Sequence, residues 1–503
     1  MKPHLDHTYR RGITIVFIVV VLVGLIALAA LAVDIGYVYA VKGQLQATAD
    51  AAALAGASAL PIDADTVRWR AIDFNAKNPV TGGVQAMLQE ADVELGLWDA
   101  NSRVFTKLAE GTAEAPEAVR VTPRLAEEYG NNLTLFFARA LGFQTLNAKT
   151  SATAVYAPRD IVLAMDYSIS MSFDSSLWAI DRYGYDEVHA RMLDIWEDLG
   201  SPQLGNMTFD PVRIPTANHD NHDHILDVLG LRDVPYPDWA GGSWDEYFNY
   251  VHTHKVSPGD QPKYEVPHEF HKDYGYITFI NYLQDVRPGV AHTPVLWQTR
   301  QQPMRAIKDG ATYLLNLIEQ QADDDRAALV GYADESNAGV LEQHLTSDYD
   351  EMIDTIEHRQ AAHYASQEPD KATPDYARGT NLAGAIEAAR MELLGNRRNW
   401  SAGMIVLLSD GQQYWPEYDE KTYNEDVAAP ALAQAALAAA EGISIITISV
   451  GPNADTALMQ QIADLTGGVH FVAPGGDSIL DYAPQLRDVF EEIAEIRPVV
   501  LVD

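Results

Sequence analysis

The fold is decided by residues 160–170, which read DIVLAMDYSIS. The apolar part of this stretch contains β-branched residues, a pattern typical of a strand buried inside a parallel sheet. It leads directly into Asp166, Ser168 and Ser170, whose side chains all end in oxygen atoms. The stretch therefore predicts a buried strand that ends in a polar loop.

The same apolar pattern returns twice further along the chain. Residues 404–408 (MIVLL) lead into Ser409-Asp410-Gly411, and residues 443–450 (ISIITISV) form a third apolar run. Helical patterns separate or follow these runs at residues 304–320, 349–358, 382–394, 428–440 and 456–465. Strands that alternate with helices predict a doubly wound parallel sheet, and therefore an α/β fold. Because ligands bind beyond the carboxyl ends of such strands, Asp166 and Asp410 are candidate site residues.

The composition limits the classes of function. The chain has 503 residues, no cysteine, and a net charge of −36 from 71 acidic and 35 basic residues. Without cysteine, disulfides, thiolate zinc sites and cysteine nucleophiles are excluded. A strongly acidic protein repels phosphate backbones, so we expect no nucleic-acid partner.

The N-terminal segment has the length and composition of a membrane span. Residues 12–33 carry no charge, and a helix of that length spans about 33 Å, enough for the hydrocarbon core. Positive charges before the span predict a single-pass anchor, with residues 1–11 cytoplasmic and the bulk of the chain extracytoplasmic. Ala30-Leu31-Ala32 resembles a signal-peptidase site, so cleavage remains an alternative. Residues 34–60 are alanine-rich and predict a helical stalk, which either docks on its own domain or packs among several copies.

Residues 61–156 predict a small α+β module. Their patterns predict strands at 92–98, 103–108, 118–122 and 145–156. Residues 133–141 (LTLFFARAL) predict an amphipathic helix that Gly142 ends. The segment contains no catalytic motif, so we expect a spacer or assembly module.

The run from Arg10 to Ala57 resembles the N-terminal segment of TadE/TadG-like proteins, which belong to the tight-adherence (Tad, or Flp) pilus systems of bacteria. The shared elements are the apolar span, VDIG at residues 33–36 and ADAAALAGA at residues 49–57. The resemblance implies a pilin-like plan, a long helix followed by a small sheet, anchored in the bacterial inner membrane. Prepilin-type processing in related pseudopilins expects a glutamate five residues after the cleaved glycine, but the residue at that distance from Gly12 is Phe17.

The second half of the chain resembles a von Willebrand factor A (VWA) domain, a Rossmann-like fold, with a metal-ion-dependent adhesion site. The motifs that carry the resemblance are Asp166-x-Ser168-x-Ser170, Gly379-Thr380-Asn381 and LLSDG at residues 407–411. The resemblance implies that the hydroxyls of Ser168 and Ser170 ligate a divalent cation, and that Thr380 joins them when ligand is bound. Asp166 and Asp410 would act mainly through bridging waters. Hard oxygen donors favour Mg²⁺, with Mn²⁺ or Ca²⁺ as alternatives, and the cation would capture an exposed Asp or Glu of a protein partner.

The VWA-like part is predicted at residues 157–503, with an insertion of about 130 residues near 172–300 that is too long for an ordinary loop. The insertion holds nine of the fifteen histidines, and its aromatic residues are numerous enough for a core. It leaves the sheet at the edge that carries Asp166, so we expect it to shape, cover or compete for the site.

Several groups in the insertion allow two interpretations. The histidines of the insertion could form a zinc or catalytic cluster, or they could belong only to a polar loop before a helix. They are His219, His222, His224, His252, His254, His268 and His271. A group of aromatic residues could form a sugar-binding platform or the core face of a helix. These residues are Trp239, Trp244, Tyr247, Phe248 and Tyr250. Residues 419–426, after the LLSDG strand end, predict a solvated loop.

Three functions follow as hypotheses. The first is a membrane-anchored adhesion or assembly protein of the Tad pilus type, which binds a partner carboxylate through the cation and meets other pilus-assembly proteins. The second is a structural scaffold of a membrane complex without metal-mediated ligand binding. The third is a metal-dependent hydrolase that uses the histidines of the insertion. The sequence has no H-E-x-x-H, G-x-S-x-G or phosphate-binding loop, so we expect a protein that is not an enzyme.

Overall fold

The computed structural model describes residues 10–60, 62–80, 84–99, 102–109, 111–112, 115–214, 221–253, 273–321, 324–333, 339–363, 380–398, 401–411 and 428–502. The helices in these ranges are α1 (Arg10–Ala57), α2 (Ala64–Lys77), α3 (Ile180–Tyr183), α4 (Tyr185–Asp198), α5 (His222–Val228), α6 (Trp244–Thr253), α7 (Tyr276–Val286), α8 (Met304–Gln321), α9 (Tyr349–Glu357), α10 (Leu382–Asn396), α11 (Ala429–Ala440), α12 (Thr456–Thr466) and α13 (Tyr482–Glu495). The strands are β1 (Val93–Asp99), β2 (Val104–Lys107), β3 (Ala118–Val121), β4 (Arg124–Leu125), β5 (Leu133–Thr134), β6 (Thr145–Leu146), β7 (Ala148–Lys149), β8 (Ala152–Tyr156), β9 (Arg159–Asp166), β10 (Val212–Arg213), β11 (Asp273–Tyr274), β12 (Arg326–Tyr332), β13 (Val340–Thr346), β14 (Ala402–Ser409), β15 (Ile443–Val450), β16 (His470–Ala473) and β17 (Val499–Leu501). The chain divides into two compact units, residues 1–157 with 497–503, and residues 158–496.

The first unit is built around the long helix α1 and a five-stranded antiparallel sheet, with α2 and the strand pairs β4–β7 and β5–β6 beside them. The strand order is β17-β8-β3-β1-β2. The alanine-rich half of α1 packs on this sheet through Ala49, Ala52, Ala53 and Ala57, which are fully buried. These alanines lie on one face of the helix because their spacing follows its 3.6-residue period. Of the two alternatives for the stalk, docking on its own domain is the one observed.

The predicted extent of the second domain, residues 157–503, is wrong at its C-terminal end. Strand β17 pairs antiparallel with β8, with Val500 opposite Val155. Residues 497–503 therefore belong to the first unit, and the second unit ends at Ile496. A short run of β-branched residues fits the edge of either sheet, so its sequence did not indicate which one it joins.

The amphipathic helix predicted at residues 133–141 is wrong, because strand β5 and a 3₁₀ turn occupy this segment. The backbone N–H groups of residues 136–138 donate to the Asp34 carboxylate of α1, which fixes the turn. Gly142 ends the turn with a φ of 93°, in the left-handed region. The single strand predicted at residues 145–156 is divided into β6, β7 and β8, which pair with different strands.

The second unit is built on a six-stranded sheet of order β13-β12-β9-β14-β15-β16. Five strands run parallel, and β13 is antiparallel at one edge. Helices α8, α9 and α13 cover one face and α10, α11 and α12 the other, each over its own cluster of buried side chains. The predicted α/β class, with an N-terminal apolar helix and a doubly wound parallel sheet, is confirmed.

A long segment separates β9 from α8 in the second unit. The Asp174 N–H donates to the Gln302 carbonyl at 3.2 Å, and the Gln302 N–H donates to the Ser175 hydroxyl at 2.9 Å. The chain thus leaves the sheet and returns to it at one place. Helices α3 to α7 and the β10–β11 pair lie between these points. Their buried cluster is rich in aromatic residues, namely Tyr247, Phe248, Tyr274, Tyr276, Phe279 and Tyr282.

Candidate functional site

Two neighbouring parallel strands place carboxylates at the same edge of the second unit's sheet. Strand β9 ends at Asp166 and β14 ends at Ser409, with Met165 opposite Leu408 in the register. Asp410 follows β14 directly, so both aspartates lie where parallel strands present their carboxyl ends. Both side chains are buried.

Hydrogen bonds link four of the five predicted site residues. One oxygen of Asp166 (Oδ1) accepts from the backbone N–H of Ser168 at 2.8 Å. The hydroxyl oxygens of Ser168 and Ser170 are 2.9 Å apart. Ser170 then donates to Asp410 Oδ1 at 2.8 Å. The loop after β9 therefore turns two neutral hydroxyls toward the end of β14.

Thr380 joins this group from the N-terminal end of α10. Asn381 caps that helix with its side chain and thereby fixes the residue before it. A Cβ atom at Gly411 would lie 3.0 Å from Thr380 Oγ1 and 3.9 Å from Ser170 Oγ, so the glycine permits this close approach. The structure thus brings all five predicted residues together, while Gly379 lies outside the described residues.

The two aspartates lack a basic partner within the described part of the chain, where neither forms an ion pair with Lys or Arg. Burial raises the pKa of Asp166 to about 6, although hydrogen bonds from Ser168 and Ser409 oppose the shift. Burial, and then the charge of Asp166, raises the pKa of Asp410 well above its usual range. A buried pair of carboxylates without a compensating charge favours either protons or a bound cation.

The donor set fits a hard divalent cation. It offers two carboxylates and three hydroxyls, and oxygen ligands of this kind suit Mg²⁺, Mn²⁺ or Ca²⁺. In the ranges that the structure describes, no group of three or more His, Asp or Glu side chains could hold a metal ion. The site differs from such clusters because hydroxyl groups supply most of its donors.

Two residues of the site were not predicted from the sequence. Ser409 donates to Asp166 Oδ2 at 2.8 Å and thereby holds the second oxygen of that carboxylate. The buried Tyr332 donates its hydroxyl proton to the Leu408 carbonyl beside it. A polar residue at the end of the apolar 404–408 run was an available signal for Ser409. Tyr332 had none, because its strand was not predicted.

The histidines of the insertion do not gather in the described ranges. His222 Nδ1 lies 2.7 Å from Asp245 Oδ1 at the start of α5. The sequence predictions for His219, His254, His268, His271 and residues 419–426 concern positions outside the described residues. Tyr247 and Phe248 are fully buried, so α6 uses them as a core face and not as an exposed sugar platform.

Comparison with known families gives two matches. Residues 12–59 match the model of Flp pilus-assembly TadE/G-like proteins. Residues 296–413 match the model of the von Willebrand factor type A domain. The second match begins at the end of the insertion, so it includes Thr380 and Asp410 but not Asp166. No curated protein matches the chain.

Solved structures are similar to parts of the chain. The conserved hypothetical protein BatB from Bacteroides thetaiotaomicron is 16% identical over 39% of this chain and 89% of that chain, with a TM-score of 0.28. An aerotolerance-related membrane protein from Bacteroides fragilis is 18% identical over 39% and 90%, with a TM-score of 0.27. A von Willebrand factor type A protein from Catenulispora acidiphila is 9% identical over 80% and 49%, with a TM-score of 0.30. TM-scores this low carry no argument about function.

Both resemblances drawn from the sequence agree with the family matches. Helix α1 is long and apolar enough to cross a membrane, and none of its most apolar window is buried. Together with the TadE/G-like match, this helix indicates a membrane-anchored protein. The chain therefore combines an N-terminal segment that matches the TadE/G-like model with a later region that matches the model of the von Willebrand factor type A domain.

Proposed function

We propose that this chain is an adhesion or assembly protein of the Tad pilus type, anchored in the bacterial inner membrane with its bulk outside the cytoplasm. Its VWA domain binds a divalent cation, Mg²⁺ in the first place, and through it the carboxylate of a partner protein. The observation that carries the proposal is the pair Asp166 and Asp410, which is buried at one sheet edge, has no basic partner among the residues that the structure describes, and is linked through serine hydroxyls.

The surrounding residues prepare the site for this role. The Ser168 N–H and the Ser409 hydroxyl each hold one oxygen of Asp166, so this carboxylate is oriented before any ligand arrives. The hydroxyls of Ser168, Ser170 and Thr380 are neutral donors, which leave much of a cation's positive charge uncompensated. When bound, Mg²⁺ would supply a coordination position for an external Asp or Glu. This is a binding device that needs neither a nucleophile nor a general base, and we propose that the protein is not an enzyme.

Cation binding is tested by calorimetric titration of the purified full chain in detergent with Mg²⁺, Mn²⁺ and Ca²⁺. The full chain is needed because a truncation at residue 61 would remove the alanine face that covers the first sheet. We expect Asp166→Ala to lose at least about 100-fold in affinity, because an anionic group of the site is removed.

Asp174→Asn is the matched control. Asp174 is also a largely buried carboxylate in the same loop region, but it accepts hydrogen bonds from Tyr482 and Tyr183. The Asp174→Asn variant should bind Mg²⁺ nearly as well as the unmodified protein does. No cation binding by the unmodified chain, or equal binding by Asp166→Ala, would refute the proposal.

Ligand capture is tested with a displayed peptide library, which is selected on the full chain in Mg²⁺ and eluted with EDTA. The proposal predicts enrichment of peptides with an exposed Asp or Glu. A structural scaffold would bind the cation and gain stability from it, but it would select no EDTA-sensitive peptides.

A further inference from the structure

An apolar hairpin tip lies beside α1 in the first unit. Residues 135–143 read LFFARALGF, and we call them the aromatic loop. The hairpin strands β5 and β6 flank it, and the Leu135 N–H donates to the Gln144 carbonyl at 3.1 Å. Phe136, Phe137 and Phe143 are 53%, 50% and 67% exposed. Three exposed phenylalanines on one short loop form the kind of apolar patch that marks an interaction site.

The aromatic loop is fixed at the level where the apolar span of α1 ends. Among the described side chains of α1, Asp34 is the first that is buried, and it directly follows the predicted span at 12–33. Its carboxylate accepts hydrogen bonds from the N–H groups of Phe136, Phe137 and Ala138 at 2.8, 2.9 and 2.6 Å. Because a helix rises about 1.5 Å per residue, these backbone groups lie within about one turn of the end of the span.

The neighbouring residues suit the boundary between lipid and water. Tyr37 of α1 packs edge-on against Phe136, with ring centroids 5.0 Å apart. Tyr39 is 74% exposed on the same helix, and the loop carries the exposed Arg139. Aromatic and basic side chains concentrate at this depth of a bilayer, where rings enter the headgroup region and cations meet lipid phosphates.

We propose that the aromatic loop inserts into the interface of the same bilayer that α1 crosses. The occupant of the apolar patch is lipid, because the patch continues the exposed apolar surface of α1 at the point where that surface ends. Asp34 is a positioning residue, which ties the loop to the helix at that depth. The inference depends on membrane anchoring but not on the metal site.

The test uses the absence of cysteine from the sequence, which allows a nitroxide label at one introduced position. The full chain is reconstituted in vesicles of phosphatidylethanolamine and phosphatidylglycerol with the label at Phe137→Cys. The control is Val104→Cys, an apolar residue that is 51% exposed on the edge strand β2 of the same unit. Collision of the label with oxygen, which is enriched in lipid, is compared with collision with a water-soluble nickel chelate.

The proposal predicts an oxygen-to-nickel collision ratio several times higher at position 137 than at position 104. Equal ratios would overturn it. A label at 137 that is shielded from both reagents, and increasingly so at higher protein-to-lipid ratios, would assign the patch to a second copy and also overturn it. In the Asp34→Asn background, with helical content checked by circular dichroism, the ratio at 137 should fall toward that at 104. An unchanged ratio would refute the positioning role of Asp34.

Discussion

The two ends of strand β9 each carry a buried aspartate, and the two aspartates have different hydrogen-bond partners and opposite pKa shifts. Asp160, near the start, accepts from Arg326 at 2.9 and 3.0 Å, from Arg398 at 2.7 Å and from Ser401. Burial alone would raise the pKa of Asp160, but hydrogen bonds from these three residues lower it below the usual value. At the other end, burial prevails and raises the pKa of Asp166 to about 6.

This difference shows that burial of a carboxylate does not by itself indicate a functional site. Asp160 is neutralised by two arginines of its own domain, so its charge is part of the stability of the fold. Within the described ranges Asp166 receives only neutral donors, the Ser168 N–H and the Ser409 hydroxyl, so its charge is left for a proton or an external cation. Asp160 and Asp166 are both buried, so the charge of their hydrogen-bond partners, and not their burial, distinguishes the structural aspartate from the candidate ligand.

The largest loss of stability should come from removing the charge of Asp160, which two arginines compensate. Asp160→Asn leaves Arg326 and Arg398 without their shared anion, which should cost about 3 kcal/mol in the free energy of unfolding. Urea unfolding of the full chain in detergent measures this loss. Asp166→Asn is the matched control on the same strand and should not be destabilised without metal. Equal losses in the two variants would contradict the contrast.

The second prediction concerns the pH dependence of stability at Asp166, at the other end of β9. Because the pKa of Asp166 is about 6 when folded against 3.8 ordinarily, its contribution to stability is fully present below about pH 3.8 and is lost as the pH rises through about 6. In EDTA at pH 7.5, Asp166→Asn should therefore be more stable than the unmodified chain, by up to about 3 kcal/mol. Melting temperatures from pH 4 to 8 should diverge as the pH rises. Parallel curves would show that the charge at 166 is already compensated.

The smallest expected change is in Mg²⁺ affinity when one of the neutral hydroxyl donors is removed. Ser170→Ala removes the hydroxyl that donates to Asp410 and should weaken Mg²⁺ binding about tenfold, with little change in the fold. Ser176→Ala removes a helix-capping hydroxyl outside the site and serves as the control for calorimetric titration. If both variants bind Mg²⁺ alike, Ser170 does not take part in the site.

The sequence predicted the parts of this arrangement that depend on local patterns. The apolar runs predicted strands β9, β14 and β15, and the polar residues after them predicted the candidate site because parallel strands end at a common edge. Contacts between distant residues were not predictable in this way. Phe136 and Asp34 are 102 residues apart, and their hydrogen bond replaces the helix that the local pattern favoured. Pairing of β17 with β8 likewise depends on which sheet edge is free, which a three-residue strand does not encode.

The return of β17 to the first sheet has a mechanical consequence. Strands β8 and β17 are neighbours there, and the whole second unit lies in the chain between them. The second unit is therefore a closed loop with two covalent attachments to one sheet, instead of a pendant domain on a single linker. A tensile load on it is shared by two paired strands, and one proteolytic cut within it leaves each fragment joined to a strand of the anchoring sheet.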